Sequence, residues 1–152
     1  MPARAAWWPP AERVLLALWV GAVWAIGFIA APAAFAVLDD RRLAGELASH
    51  LFATTARMGL AAAALILAGA LWRDGRRALA RRRIRLVLLM AGLVAVGHFG
   101  LAPVMEGLRA GGLEPGSAEA VRFGRLHGIA SALHVATAVL GLWALVVEES
   151  GK

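Results

Sequence analysis

Residues Val14 to Leu38 read VLLALWVGAVWAIGFIAAPAAFAVL, 25 residues without a charge. A bilayer core of ~30 Å is crossed by about 20 helical residues, so the run is long enough to span it. Period-two alternation is missing, which excludes a membrane strand. An unpaired backbone in lipid is costly, so the run must be a helix. Three further runs follow: Leu51 to Trp72, interrupted only by Arg57; Leu86 to Met105, which contains His98; and Leu126 to Val147, which contains His127 and His134. The sequence therefore predicts a single all-α membrane domain over residues 1–152. It is a four-transmembrane-helix bundle with spans at about 14–38, 53–72, 84–105 and 120–147.

Composition agrees. The chain is 61% hydrophobic with a mean hydropathy of +0.70, against about 45–50% apolar residues in a water-soluble domain. The excess has to face lipid or a partner. There is no cysteine, so a disulfide framework, a Cys-based metal site and a thiol nucleophile are excluded. Arg4 and Arg13 precede the first run, and Ala34-Phe35-Ala36 imitates a signal cleavage site. A signal h-region is only about 7–15 residues long, so the run is read as a retained span.

The net charge of +6 does not indicate nucleic acid, because the arginines are placed by connection. Arg73, Arg76, Arg77, Arg81, Arg82, Arg83 and Arg85 crowd the link between the second and third spans. With Arg4, Arg13 and Lys152 they make ten cations on one side, against Arg41, Arg42, Arg57, Arg109, Arg122 and Arg125 on the other. The positive-inside rule puts this link, and with it both termini, in the cytoplasm. The same arginines can meet anionic headgroups, although a topology signal alone accounts for them. Trp7, Trp8, Trp72 and Trp143 fall near the same interface, as a tryptophan belt would.

The connections on the other side differ in kind. Asp39-Asp40 offers an N-cap, and Leu43, Leu47 and Leu51 follow at helical spacing with Arg41, Arg42 and Glu46 elsewhere on the wheel. This predicts a short amphipathic interfacial helix at about 40–51, between spans one and two. Arg109 to Ser117 holds Gly111-Gly112 and Pro115-Gly116, a loop with Ser117 as the cap of the last helix and Glu119 in its first turn. No internal repeat is apparent.

The densest polar chemistry inside an apolar run is Phe123-Gly124-Arg125-Leu126-His127-Gly128. Counted at about 1.5 Å per residue, His98 and His127 lie level, some 10–12 Å below the outer ends of their helices. Arg125 and Glu106 fall in the same outer half, which makes His98, His127, Arg125 and Glu106 a candidate polar pocket. An ionisable residue within a span is by default a functional hypothesis, because burying it is expensive. The candidate ligands for haem or a soft metal are His98, His127, Met105 and Met58. The bland reading of each histidine is a neutral imidazole bonded across a helix interface. His134 lies two turns from His127, too far to share one ion with it, and reads as structural; His50 reads as interfacial. Gly124, Gly128 and, on span one, Gly21 form small-residue ridges for helix packing. Pro32 and Pro103 each free a carbonyl about one turn earlier. No catalytic residue set emerges: there is no nucleophile elbow, phosphate loop, HExxH or paired membrane carboxylate.

Leu18-Trp19-Val20-Gly21, Ala31-Pro32-Ala33-Ala34-Phe35, Ala44-Gly45 with Leu51-Phe52, Ala102-Pro103 and Phe123-Gly124-Arg125-Leu126-His127-Gly128 occur in an order that resembles a known family. It is similar to the small bacterial members of the transmembrane protein 205-like group, whose domain is of unknown function. The resemblance runs over about residues 14–147. It implies a four-helix membrane bundle. Its eukaryotic relatives are linked to platinum-drug resistance, which implies handling of soft metals or amphipathic solutes.

Three functional expectations follow. The leading one is a non-enzymatic membrane protein that binds or moves a small solute or metal from an outer-half pocket. The second is a haem- or metal-dependent redox protein using His98 and His127. The third is a structural or assembly partner in a membrane complex, as a homo-oligomer or with another protein. The bilayer is a partner in all three, and nucleic acid in none.

Overall fold

The computed structural model describes residues 8–147, which are helical with short connections and contain no strand. Arg4, Trp7 and Lys152 lie outside the described residues. Four helices are long and apolar enough to cross a membrane. They are α1 (Trp8–Val37), α2 (Arg41–Asp74, continued by a 3-10 turn over Gly75–Ala80), α3 (Arg82–Ala110) and α4 (Ala118–Val146).

Each boundary has a local cause. Asp40 caps α2, its carboxylate accepting from the N–H groups of Arg42 (2.8 Å) and Leu43 (3.3 Å). Ser117 caps α4 by accepting from the N–H of Ala120 at 3.1 Å. Gly75 ends α2 at φ +58°, and Gly112 and Gly116 turn the last loop at φ +85° and +83°, backbone values that favour glycine.

The segment 40–51 is helical, but it is not a separate interfacial helix. The α-helical ladder runs unbroken from Arg41 to Asp74. A sharp turn into the membrane plane needs a proline, a π-bulge or a similar interruption, and α2 has no proline. Ala44 and Ala48 form its buried face here, while Leu43 and Leu47 stay exposed.

α1 and α3 share one device. Each widens into a π-helical turn ahead of a proline: Ile26–Ala30 before Pro32, and Val96–Leu101 before Pro103. Proline lacks an N–H and its ring collides with the carbonyl four residues back, so the upstream bonds shift to i→i+5. Accordingly the N–H of Ala31 bonds the carbonyl of Ile26, and that of Ala102 bonds the carbonyl of Gly97. Both sites read Phe-x-x-Ala-Pro, at Phe28–Pro32 and Phe99–Pro103. The chain is thus two helical hairpins that begin alike, an internal correspondence the apolar runs conceal.

The core sits toward the arginine-rich end. Leu16, Trp19, Val20 and Val23 of α1 meet Ala63, Ile66 and Ala70 of α2, Ile84, Val87 and Met90 of α3, and Ala138 and Ala144 of α4. Close approach is made by Gly59 under Trp19, Gly69 under Trp8 and Gly141 under Val20, where an added Cβ would overlap the facing side chain. Toward the opposite end α1 and α2 stay in contact through Ala31, Ala34, Ala44 and Ala48. There α3 buries nothing beyond Met90, and α4 nothing before Thr137. Large apolar side chains such as Leu18, Ile29, Phe99 and Val139 point outward. On helices of this length, such a surface is that of a multi-pass membrane protein.

Candidate functional site

The structure disperses the outer-half candidates. His98 lies inside the π turn of α3, half-buried, with its ring edge-on to Phe99 at 4.8 Å. His127 is exposed on α4, its ring stacked on Phe123 at 6.1 Å and 5°. The two imidazoles make no ring contact or hydrogen bond with each other among the described residues. His127 thus faces outward, at a level where α4 buries nothing. Glu106 pairs with Arg109 at 2.7 Å, one turn along its own helix, and not with Arg125, which is exposed. The same Arg109 donates to Ser49 Oγ at 3.1 Å, tying α3 to α2, and lies 5.4 Å over the Phe123 ring. Met105 is half-buried and Met58 is 60% exposed. No group of three His, Cys, Asp or Glu side chains able to hold a metal occurs among the described residues.

The small-residue ridges also face away from the bundle. A Cβ added at Gly21, Gly124 or Gly128 would meet nothing within 4 Å. Within this chain, packing is carried by other glycines.

One of these positions the histidine that is engaged. His134 Nε2 lies 3.0 Å from the carbonyl oxygen of Val23, and Phe52 meets its ring edge-on at 5.1 Å. The imidazole rests over Gly27, where a Cβ would overlap it. Trp24 Nε1 donates to the carbonyl of Ala138 at 3.3 Å, a second tie between α1 and α4. The structural reading of His134 agrees with this geometry.

The main polar cluster is at the arginine-rich end, where only a topology signal was expected. Glu12, in the second turn of α1, is 1% exposed. Its carboxylate accepts from Arg81 Nη2 at 3.3 Å and lies 3.8 Å from Arg73 Nη2. Asp74 accepts from both arginines, at 2.9 Å from Arg73 Nη2 and 3.1 Å from Arg81 Nη1. Two carboxylates and two guanidiniums thus join the start of α1 to the end of α2 and the following link. Arg83, 5% exposed, donates through Nε to Ala144 O (3.0 Å) and through Nη2 to Val147 O (2.8 Å). These are C-terminal carbonyls of α4, where the helix dipole favours a cation. Three of the seven link arginines therefore hold the fold, while Arg76, Arg77, Arg82 and Arg85 are exposed. The sequence signal for the cluster is Glu12 and Asp74, the acids nearest the inner ends of spans one and two, which lie just outside the apolar runs.

Beside this cluster α3 and α4 leave a cavity of about 410 Å³, lined by Arg82, Arg85, Leu86, Leu89, Trp143 and Val147.

Four apolar spans, an outward hydrocarbon surface and an ion-paired end define a multi-pass α-helical membrane protein. The chain belongs to the family defined by a domain of unknown function, DUF4149, whose model matches residues 14–114. The match takes in most of α1 and all of α2 and α3, with the Ala31–Phe35 element, and stops before the Phe123–Gly128 element on α4. It does not extend to the transmembrane protein 205-like naming. Neither a curated protein nor a solved structure matches the chain.

Proposed function

We propose that this protein is a non-enzymatic subunit of a larger assembly in the bacterial inner membrane, with its arginine-rich end and both termini in the cytoplasm. The observation that carries this reading is the outer half of α4. Arg125 and His127 are exposed there, beside Gly124 and Gly128, on a helix that buries nothing before Thr137. Ionisable side chains at lipid depth are expensive, and small residues let a second helix approach closely. A neighbouring subunit, in the simplest case a second copy of this chain, covers that face. The orientation is supported by the four exposed arginines of the link, which remain as a positive-inside signal after Arg73, Arg81 and Arg83 are assigned to the fold.

Because the chain has no cysteine, single cysteines test this directly. Introduced at Gly124, Gly128 or Val135 and oxidised in native membranes, they are expected to give cross-linked species of defined mass. A cysteine at Ala138, buried in the bundle, serves as control. Cross-linking no greater at the three surface positions than at Ala138 would overturn the proposal.

A solute-binding reading keeps one observation in its favour. His98 lies in a widened π turn whose neighbours Gly97 and Gly100 border open space, and π-bulges are frequent at functional sites. Binding of a small amphipathic cation that is lost in His98→Ala with the fold intact would favour it.

A further inference from the structure

The cavity between the first turns of α3 and the last turn of α4 is amphipathic along its depth. Arg82 and Arg85 line it at the start of α3, exposed and one helical turn apart, and neither makes a side-chain hydrogen bond or ion pair among the described residues, unlike their neighbours Arg81 and Arg83. Leu86 and Leu89 continue down the same face of α3, and Trp143 and Val147 form the opposite wall on α4. Leu89 is 50% and Trp143 57% exposed, so the groove opens sideways toward the surrounding lipid. Its depth from Arg85 to Leu89 is about 6 Å of helix rise, the transition from headgroup to acyl chain. The α3 N-terminus adds to the same field, since Arg81 supplies no side-chain cap and no acid lies in the first turn.

We infer that this groove binds an anionic phospholipid, with its phosphate between the guanidiniums of Arg82 and Arg85 and one acyl chain against Leu86, Leu89 and Trp143. Guanidinium is suited to a phosphate oxygen pair, and the tryptophan to the headgroup boundary. A free phosphate would satisfy the arginines alone; the apolar walls below them select a lipid. The buried Arg83, bonded to Ala144 and Val147, fixes the spacing of the two walls and takes no part in binding. The inference is independent of the assembly proposed for the outer half of α4.

The test is lipid retention by the detergent-solubilised protein in native mass spectrometry, with equal amounts of phosphatidylglycerol and phosphatidylcholine supplied. The wild type is expected to retain phosphatidylglycerol in preference. In Arg82→Gln/Arg85→Gln the preference is expected to fall by roughly 10- to 30-fold, the scale for two cations at an anionic surface. Leu89→Trp, which fills the groove, is expected to reduce retention of phosphatidylglycerol with both arginines present. Arg76→Gln/Arg77→Gln removes as much charge from the same link outside the groove and is expected to leave the preference unchanged. An equal loss in that variant would mean diffuse attraction and overturn the site, as would an unchanged preference in Arg82→Gln/Arg85→Gln. Displacement of the lipid by millimolar inorganic phosphate alone would assign the groove to free phosphate and overturn the lipid.

Discussion

The imidazole of His134 lies over the Cα of Gly27, in the space a side chain would occupy, and reaches the carbonyl of Val23 one turn back along α1. The contact holds α4 to α1 at the π turn, near the level where α4 ceases to be buried. A glycine and a histidine on different helices therefore act as one unit.

Gly27→Ala is expected to destabilise the protein by about 1–3 kcal/mol, because the added methyl displaces a packed ring and its hydrogen bond. Gly21→Ala, on a lipid-facing surface with nothing within 4 Å, is expected to be neutral or stabilising by up to about 1 kcal/mol from helix propensity. Thermal unfolding in detergent separates the two. The double variant Gly27→Ala/His134→Ala should be less destabilised than the sum of the single changes; strict additivity would show that the two residues do not share a contact.

The Glu12 cluster gives a second expectation. Glu12→Gln removes the charge of one of the two carboxylates that face Arg73 and Arg81 in the cluster. Breaking a fully buried pair costs about 3–5 kcal/mol, but these guanidinium side chains are 18% and 21% exposed, so a loss of about 1–3 kcal/mol is expected. Arg81→Gln placed on top of Glu12→Gln should recover part of it. A Glu12→Gln protein as stable as the wild type would mean that the cluster does not hold α1 to the link.

What could be read from the sequence divides along physical lines. The four spans were legible because apolar length is a one-dimensional property, and the caps at Asp40 and Ser117 because they depend on neighbours within three residues. The prolines at 32 and 103 announced an irregularity, but not that both would be absorbed as π turns. Rotation of a helix about its axis was harder to read. Gly124 and Gly128 carry the familiar paired-glycine spacing yet face outward, while Gly27 and Gly141, with no glycine four residues away, receive His134 and Val20. The histidines show the same limit along the other axis. His127 and His134 are seven residues apart, only about 20° short of two turns, and so share a face. Level in the bundle, which no local pattern encodes, leaves one exposed and engages the other. The ion cluster was missed because its members lie in different segments and look, singly, like topology charges.

Topology is tested by reporter fusions at Gly75 and Gly112, which close the two turns at opposite ends of α3. The first is expected to report the cytoplasm and the second the external side. The same location for both would refute a crossing by α3; a clean inversion would keep the four spans and reverse the proposed orientation. Arg76→Gln/Arg77→Gln should weaken the bias, since these two exposed arginines make no hydrogen bond or ion pair among the described residues. Arg83→Gln should act on stability instead, through the loss of its bonds to Ala144 and Val147.

The last expectation concerns His98 and His127. Had they shared a ligand, His98→Ala and His127→Ala would give the same defect and the double change would be no worse than either. The geometry gives each its own aromatic neighbour, Phe99 for His98 and Phe123 for His127. Their effects should therefore add, within about 0.3–0.5 kcal/mol for independent sites. They should also differ in kind. His98 is half-buried in a π turn, so its loss should lower thermal stability. His127 is exposed beside Gly128 and Arg125, so its loss should leave the isolated subunit nearly as stable and act on association, read as weaker cross-linking from a cysteine at Gly124. An identical, non-additive defect from the two single changes would restore a shared site and contradict the arrangement described.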